Sequence, residues 1–515
     1  MSRADKVSQT SKQGMTGQAA PAPSNKGSVL LNSLLSSRTF TDEDQRRFAQ
    51  FSGDCNPMHM DRVAARRMAA GLPVVHGIHL LLWALEFVVE KIPHLRSFAT
   101  VTGTFEKFVC VGDAVSLHLQ RLDARGVVIE ILSRGLRSAV VSVVFEVVGE
   151  SGSQPKGPSG TPIDNPMGNP MRLTAPLALT FDEMAGREGQ LAFATAAETA
   201  VTLFPRLCSR WGDEQVSALT CTSALVGMAC PGLYSIYNKV TIFAAGNEMP
   251  PGILSFAVSR SDARFRRVEM QVAAQGVNGK VTATARLPPV EQACMTNVMT
   301  QVGRSEFAGV RALIIGGSRG LGEVTAKIIA AGGGQVVVTY HSGEDDARRI
   351  AAEIRIAGGA CEFRKLDVLR GASDQLDTSM LNANQLYYFA TPRIARSKAD
   401  DYNQDLFAEF VEYFVNGFQR TCMAMRNASG SPLSVFYPST EFITNGPPEM
   451  TEYAMAKAAG EILCVDIARK IPGLRIKVVR LPKLKSDQTA GVLAMDVADP
   501  LGPLLGIVRS LGAEA

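Results

Sequence analysis

An apolar run from Ile78 to Val89, interrupted only by His79 and Glu86, predicts a buried helix early in the chain. An Ala-rich region over about 189–230 also reads as helical. Beyond it, Phe256-Ala257-Val258, Val268 to Val272 and Val281 to Ala285 have the character of strands. From Arg311 the pattern changes to strand, glycine-rich turn and helix: Ala312 to Ile315, then Gly316 to Gly322, then an apolar-faced helix near Glu323. Further strands are predicted at Gln335 to Tyr340 and at Cys361 to Leu366, the latter ending in Asp367. Strands alternating with helices predict an α/β, doubly wound parallel sheet for this last part.

Composition places the joints between these patterns. Residues 1–27 are rich in Ser, Gln, Ala, Pro and Lys and read as a disordered tail. Glu150 to Met171 carries five prolines among Gly, Ser and Asn, as an extended connector does. A second break falls at Pro288-Pro289. The expected organisation is therefore a tail (1–27), a first domain (28–150), a connector (151–172), a second domain (173–300) and a third (307–515). The 515-residue length accommodates three cores. A formal charge of +4 without a dense basic run argues against nucleic acid as a partner. Nine cysteines without a C-x-x-C pair read as reduced thiols of a cytoplasmic protein. Neither a signal peptide nor a membrane span is indicated, and no metal is expected.

The most chemical stretch is residues 50–80. Asp54 and His59 flank the turn-forming pair Asn56-Pro57, so both can converge on one pocket and hold a water between them. His76-Gly77 opens the predicted helix, whose first amides could polarise a carbonyl and whose apolar face could accept an acyl chain. The series Ser52-Gly53-Asp54-Cys55-Asn56-Pro57-Met58-His59-Met60-Asp61, with Val75-His76-Gly77 and Thr104 to Asp113, resembles the MaoC-like, (R)-specific enoyl-CoA hydratases of the hot-dog class. The resemblance implies an α+β hot-dog fold, a catalytic water on Asp54 and His59, a turn braced by Asn56, and a thioester oxygen held by the Gly77 amide. One departure is the absence of a small polar residue early in the helix, where Trp83-Ala84-Leu85 stand. The second domain reads as another hot dog by pattern. It has no histidine between His118 and His341, so it is expected to be a degenerate half completing a double hot dog.

In the third domain the Gly316 to Gly322 loop has the spacing of a phosphate cradle at a helix N-terminus. Tyr453 and Lys457 share a helical face, where an ammonium would lower the phenol's pKa and let it exchange a proton with a carbonyl. Together these motifs resemble the short-chain dehydrogenase/reductase family over about 307–490. The resemblance implies a nicotinamide coenzyme held by Gly316, Ser318, Arg319, Gly320, Leu321, Gly322, Asp367 and Lys457. It also implies a homo-oligomer, most simply a dimer, and matches Asn416 to a proton-relay asparagine. For the substrate-orienting hydroxyl, Thr440 has the commoner spacing and Ser439 the commoner residue type, and Ser439 is preferred. No Asp or Glu ends the second strand and Arg319 could meet a 2′-phosphate, which favours NADPH. Departures are Ile315 before the first glycine, Phe389-Ala390-Thr391-Pro392 in place of the usual Asn-Asn-Ala-Gly, and Pro482-Lys483 in place of Pro-Gly.

The two halves are chemically consecutive, since reduction of a 3-oxoacyl thioester yields the 3-hydroxyacyl thioester that a hydratase-type site dehydrates. The expected function is a bifunctional NADPH-dependent 3-oxoacyl reductase and (R)-specific 3-hydroxyacyl dehydratase or enoyl hydratase, acting on acyl-CoA or acyl-carrier-protein thioesters. The same residues running in reverse would serve β-oxidation. A reductase of a non-thioester carbonyl, with the hot dog as a binding scaffold, is the alternative of a different class.

Overall fold

The structure, a computed structural model, describes residues 33–68, 70–91, 98–145, 169–193, 197–246, 249–394, 402–429, 431–489 and 497–513. The expected tail and residues 151–168 of the connector lie outside the described residues.

The first part runs β1 (Ser33–Thr39), α1 (Asp42–Ser52), α2 (Pro57–Met60), α3 (Arg62–Ala65), α4 (Gly77–Lys91), β2 (Phe98–Phe105), β3 (Ala114–Asp123), β4 (Gly126–Ser133) and β5 (Leu136–Phe145). A capping box between Thr41 and Asp44 starts α1. Asn56 caps α2 through its side chain, with Pro57 at the first helical position, where a missing N–H costs nothing. The second part runs α5 (Phe181–Met184), β6 (Glu188–Ala192), α6 (Ala197–Leu203), α7 (Pro205–Trp211), α8 (Asp213–Ala224), a π-helical turn at Leu225–Ala229, then β7 (Ser235–Ala244), β8 (Ile253–Asp262), β9 (Arg267–Ala274) and β10 (Val277–Ala285).

These strands form one sheet of ten, in the order β1-β3-β4-β5-β2-β7-β10-β9-β8-β6. The seam is β2 against β7, antiparallel from Thr100↔Phe243 to Thr104↔Lys239. Each half packs its sheet around one long helix, α4 or α8. Ile78, Leu81 and Leu85 of α4 belong to the same continuous core as Val216 and Leu219 of α8. This is a double hot dog. The helical region expected over 189–230 is corrected at its start: Glu188 to Ala192 is a strand paired with Ile253 to Ala257. A run as short as Gln190-Leu191-Ala192 has no periodicity that separates strand from helix, and the neighbouring strand decides.

A short helix α9 (Met295–Met299) leads into β11 (Arg311–Ile315), α10 (Gly320–Ala331), β12 (Gln335–Tyr340), α11 (Glu344–Ile356), β13 (Ala360–Lys365), α12 (Thr378–Leu381), β14 (Gln385–Tyr388) and α13 (Gln404–Val411). After a π-helical turn at Glu412–Gly417 come α14 (Phe418–Ser429), β15 (Leu433–Thr440), α15 (Phe442–Asn445), α16 (Thr451–Lys470), β16 (Leu474–Leu481) and α17 (Leu501–Ala513). The six strands are parallel, in the order β13-β12-β11-β14-β15-β16. Alternate strand residues feed a separate core on each face, Ile314 and Val338 on one and Leu313 and Leu386 on the other. The order reverses between β11 and β14, which opens a crevice beyond their C-terminal ends, the position for a dinucleotide in this architecture. No described helix is long and apolar enough to cross a membrane.

Candidate active sites

The turn carrying Asp54 and His59 lies between the two hot-dog halves. The Asp54 carboxylate is buried, and its oxygens accept hydrogen bonds from Ser223 Oγ of α8 at 2.7 Å and from the Asn56 amide N–H at 3.2 Å. His59 Nδ1 lies 2.6 Å from the Val74 carbonyl, so Nδ1 carries the proton and Nε2 presents a lone pair. That Nε2 lies 3.8 Å from Asp54 Oδ2, too far for a direct bond and suited to one oxygen atom held between them. Burial raises the Asp54 pKa, opposed by His59, Ser223 and the Asn56 amide. A carboxylate so displaced becomes a better proton acceptor near neutral pH.

His76 stacks on His59 with ring centres 3.8 Å apart. Gln45 Nε2 donates to its Nδ1 at 3.2 Å, so its Nε2 donates to the Asp54 carbonyl at 3.0 Å. Burial, followed by the repulsion that a protonated His59 would exert, holds the His76 pKa well below the ordinary value. His76 is thus a neutral brace. Asp54, His59 and His76 are close enough to resemble a cation site, but His76 Nε2 bears a proton and has no lone pair for a metal. His79 points elsewhere, stacked on Phe48 at 4.5 Å, and burial holds its pKa down at about 3.

Asn56 does more than brace its turn. Its Oδ1 accepts from Met58 N, while its Nδ2 donates across the halves to the carbonyls of Gly227 at 2.7 Å and Gly232 at 3.2 Å. Gly227 sits so close to Asp54 that a Cβ there would run into the carboxylate. Gly77 opens α4, where the first-turn amides have no partner within the helix, and the Phe105 ring packs against its Cα. The pocket amounts to about 50 Å³ with Leu80, Phe105, Phe108 and Val226 as its apolar wall. The acyl chain was expected along Ile78 to Val89, but most of that helix face is packed into the core, and only its first turn borders the pocket.

The second site is a cleft of about 680 Å³ at the sheet's crevice. Gly316, Ser318, Arg319, Gly320, Leu321, Gly322, Asp367, Tyr453 and Lys457 all line it. Gly316 has φ of 74°, and a Cβ there would lie 3.0 Å from the Phe389 backbone that replaces the usual asparagines, so glycine is required. Arg319 Nη1 donates to Asp487 Oδ2 at 3.1 Å and to the Arg66 carbonyl at 2.9 Å.

Three expectations need correction. Thr440, not Ser439, hydrogen-bonds the Tyr453 side chain. Consecutive strand residues face opposite ways, and Ser439 Oγ donates instead to Glu461 Oε1 at 2.5 Å. Asn416 is not brought to the catalytic pair. It lies in the π-helical turn and bonds Glu412, while the neighbouring Phe414 ring lies 4.1 Å from Lys457 Nζ. Finally, Lys457 does not lower the Tyr453 pKa. Its Nζ donates to the Pro438 carbonyl at 2.6 Å, burial pushes its pKa down to about 7, and burial pushes Tyr453 up to about 12. The phenol is therefore protonated at neutral pH, the state that donates to a carbonyl undergoing reduction.

The N-terminal site is thus a buried Asp/His turn between hot-dog halves, and the C-terminal one a cleft at the crevice of a parallel sheet, lined by a glycine loop and a Tyr/Lys pair. Residues 33–135 match the family described as MaoC like domain, and residues 311–484 match short chain dehydrogenase. The chain carries an N-terminal MaoC-like dehydratase domain and a C-terminal short-chain dehydrogenase domain. It is similar to the uncharacterized oxidoreductase YgfF of Escherichia coli K12, 27% identical over 33% of this chain and 74% of that protein. It is 45% identical to the 2,5-dichloro-2,5-cyclohexadiene-1,4-diol dehydrogenase LinX of Sphingobium indicum, over 13% of this chain and 27% of that one. A short chain dehydrogenase of Burkholderia cenocepacia J2315, solved with NADP, aligns with 39% of this chain and 90% of its own, at 22% identity and a TM-score of 0.36.

Proposed function

We propose that the protein reduces short 3-oxoacyl thioesters with NADPH in the C-terminal cleft and dehydrates the resulting (R)-3-hydroxyacyl thioester between the hot-dog halves. The observation that carries this reading is the oxygen-sized gap between His59 Nε2 and Asp54 Oδ2, beside the first amide of α4. In the dehydration, Gly77 N–H polarises the thioester carbonyl, and the Asp54/His59 pair removes the α-proton and returns a proton to the departing hydroxyl, which leaves as water. In the reduction, the cleft around Gly316 to Gly322 would hold NADPH, which would supply hydride for the 3-oxo carbon, while Tyr453, bonded to Thr440, supplies the proton. Lys457 lies close under the cleft and holds the end of β15 through Pro438. The pocket of about 50 Å³ favours short acyl groups, carried on coenzyme A or an acyl-carrier protein. The protein acts as a cytoplasmic homo-oligomer in this reading.

The test offers 3-oxoacyl-CoA and carrier-linked substrates of increasing length with NADPH, following nicotinamide absorbance and product mass. Enoyl product from the short substrates is expected, and a product that stalls as the hydroxyacyl thioester would remove the dehydratase assignment. Tyr453→Phe should abolish NADPH oxidation while leaving coenzyme binding intact; reduction surviving in that variant would remove the assignment of Tyr453.

A further inference from the structure

The wall of the coenzyme cleft is not made by the reductase domain alone. Arg66, Met68, Gly71 and Leu72, from the chain that continues out of the dehydratase turn through α3, also line it. Three contacts hold this segment in place: Arg67 pairs with Asp346 of α11, Arg393 bonds the Ala70 carbonyl, and Arg319 bonds the Arg66 carbonyl.

Within that wall Arg66 is out of balance. Its Nη1 is buried and has no hydrogen-bond partner among the described residues. The nearby carboxylates are committed to other guanidinium groups, Asp346 to Arg67 and Asp487 to Arg319. Arg319 is close enough for its charge to work against that of Arg66. An unpartnered, desolvated guanidinium nitrogen beside a second guanidinium is an arrangement that an anion relieves. Its position says which anion. A Cβ at Gly343, in the turn between β12 and α11, would lie 2.9 Å from Arg66 Nη1, so the guanidinium lies over the residues that follow the second strand. In a doubly wound sheet this is where the adenosine ribose of a dinucleotide rests, with its 2′ position outward. His341 and Ser342 of the same turn line the cleft.

We propose that Arg66, a residue of the hot-dog half, binds the 2′-phosphate of NADPH in the reductase cleft and sets coenzyme preference from the other domain. The inference rests on the NADPH reading above and gives it a residue that the reductase domain does not contain. A planar fork of donors suits a phosphate dianion, and the lost contact falls on NADPH alone because NADH has no 2′-phosphate. Arg66 is outside the dehydratase pocket, so dehydratase activity reports on folding of its variants.

The full-length chain with Arg66→Gln and Arg66→Lys is titrated with NADPH and NADH by nicotinamide fluorescence, and with 2′,5′-ADP and 5′-AMP by calorimetry. Arg66→Gln should weaken NADPH and 2′,5′-ADP by about 10- to 100-fold, the value of a charge-assisted hydrogen bond, and leave NADH and 5′-AMP where they were. Arg66→Lys should restore part of the loss, a point charge replacing a fork. Equal weakening of both coenzymes, or of neither, overturns the proposal. If the wild-type chain binds NADH as tightly as NADPH, the coenzyme reading itself fails. A wild type that prefers NADPH beside an Arg66→Gln variant that keeps the preference overturns the role of Arg66 alone.

Discussion

The two hot-dog halves share a fold, a sheet and a core, yet the buried Asp/His cluster among the described residues lies on the first. In the first half the chain entering its long helix supplies Asp54, His59, His76 and Gly77. In the second, α8 begins after Gly212 without a histidine and ends in a π-helical turn pressed against the first half's carboxylate. What the second half retains is placement. Ser223 bonds Asp54, the Gly227 carbonyl anchors Asn56, and Tyr237 closes the pocket while donating to Thr222 at 2.8 Å. The turn that carries Asp54 is irregular backbone, and part of its polar groups find their partners in the other half.

The largest effect that separates the halves is expected from the first one's own groups. Asp54→Asn or His59→Ala should cut dehydration roughly 10²- to 10⁴-fold while ketone reduction continues. Mass analysis should then show hydroxyacyl product accumulating. Near wild-type enoyl formation in the double variant would mean that the chemistry lies elsewhere. Next comes Gly227→Ala, a change in the silent half. The added methyl has to displace the Asp54 carboxylate or the π-helical turn, and misplacement of that order costs about 10²-fold in dehydration. If kcat/KM is unchanged, the second half is a passive cover.

Ser223→Ala sharpens the comparison further. It removes one hydrogen bond that lowers the Asp54 pKa, so the carboxyl should ionise at higher pH and the acid limb of the dehydration profile should move upward. A loss of about 10-fold at neutral pH is expected, and an unmoved limb would show that Ser223 has no hold on Asp54. The smallest effect concerns stability. His79 is held neutral by burial, with its pKa lowered from 6.5 to about 3 in the folded chain. The unfolded chain takes up the proton first as pH falls, so stability should drop between about pH 6.5 and pH 3 and level off below. His79→Phe should flatten the urea midpoint across that window. Because the halves share one core, both should unfold in a single transition.

The convergence of Asp54 and His59 was legible in the sequence because its causes are contiguous: capping by Asn56, Pro57 at the first helical position and the Asp54/His59 spacing all fall within a few residues. The glycine loop and the Tyr453/Lys457 pair were legible for the same reason. The places of Ser223, Gly227 and Arg66 were not, since the first two meet Asp54 and the third approaches Gly343, all far away in the chain, and each reads locally as an ordinary helix or loop residue. The preference for Ser439 over Thr440 failed because register at a strand end decides which hydroxyl faces the tyrosine. Asn416 failed because a π-helical turn alters the facing of the residues it contains.

The antiparallel seam between β2 and β7 fixes more than geometry. In a hot-dog pair built from two identical chains, every catalytic turn has a copy related to it by the two-fold axis. Within one continuous sheet of unlike halves, among the described residues, one Asp54/His59 turn accompanies each Tyr453/Lys457 cleft. An active-site titration should therefore count one dehydratase centre per reductase centre at every protein concentration, a one-to-one ratio of capacities that neither dilution nor unequal expression of separate subunits can disturb.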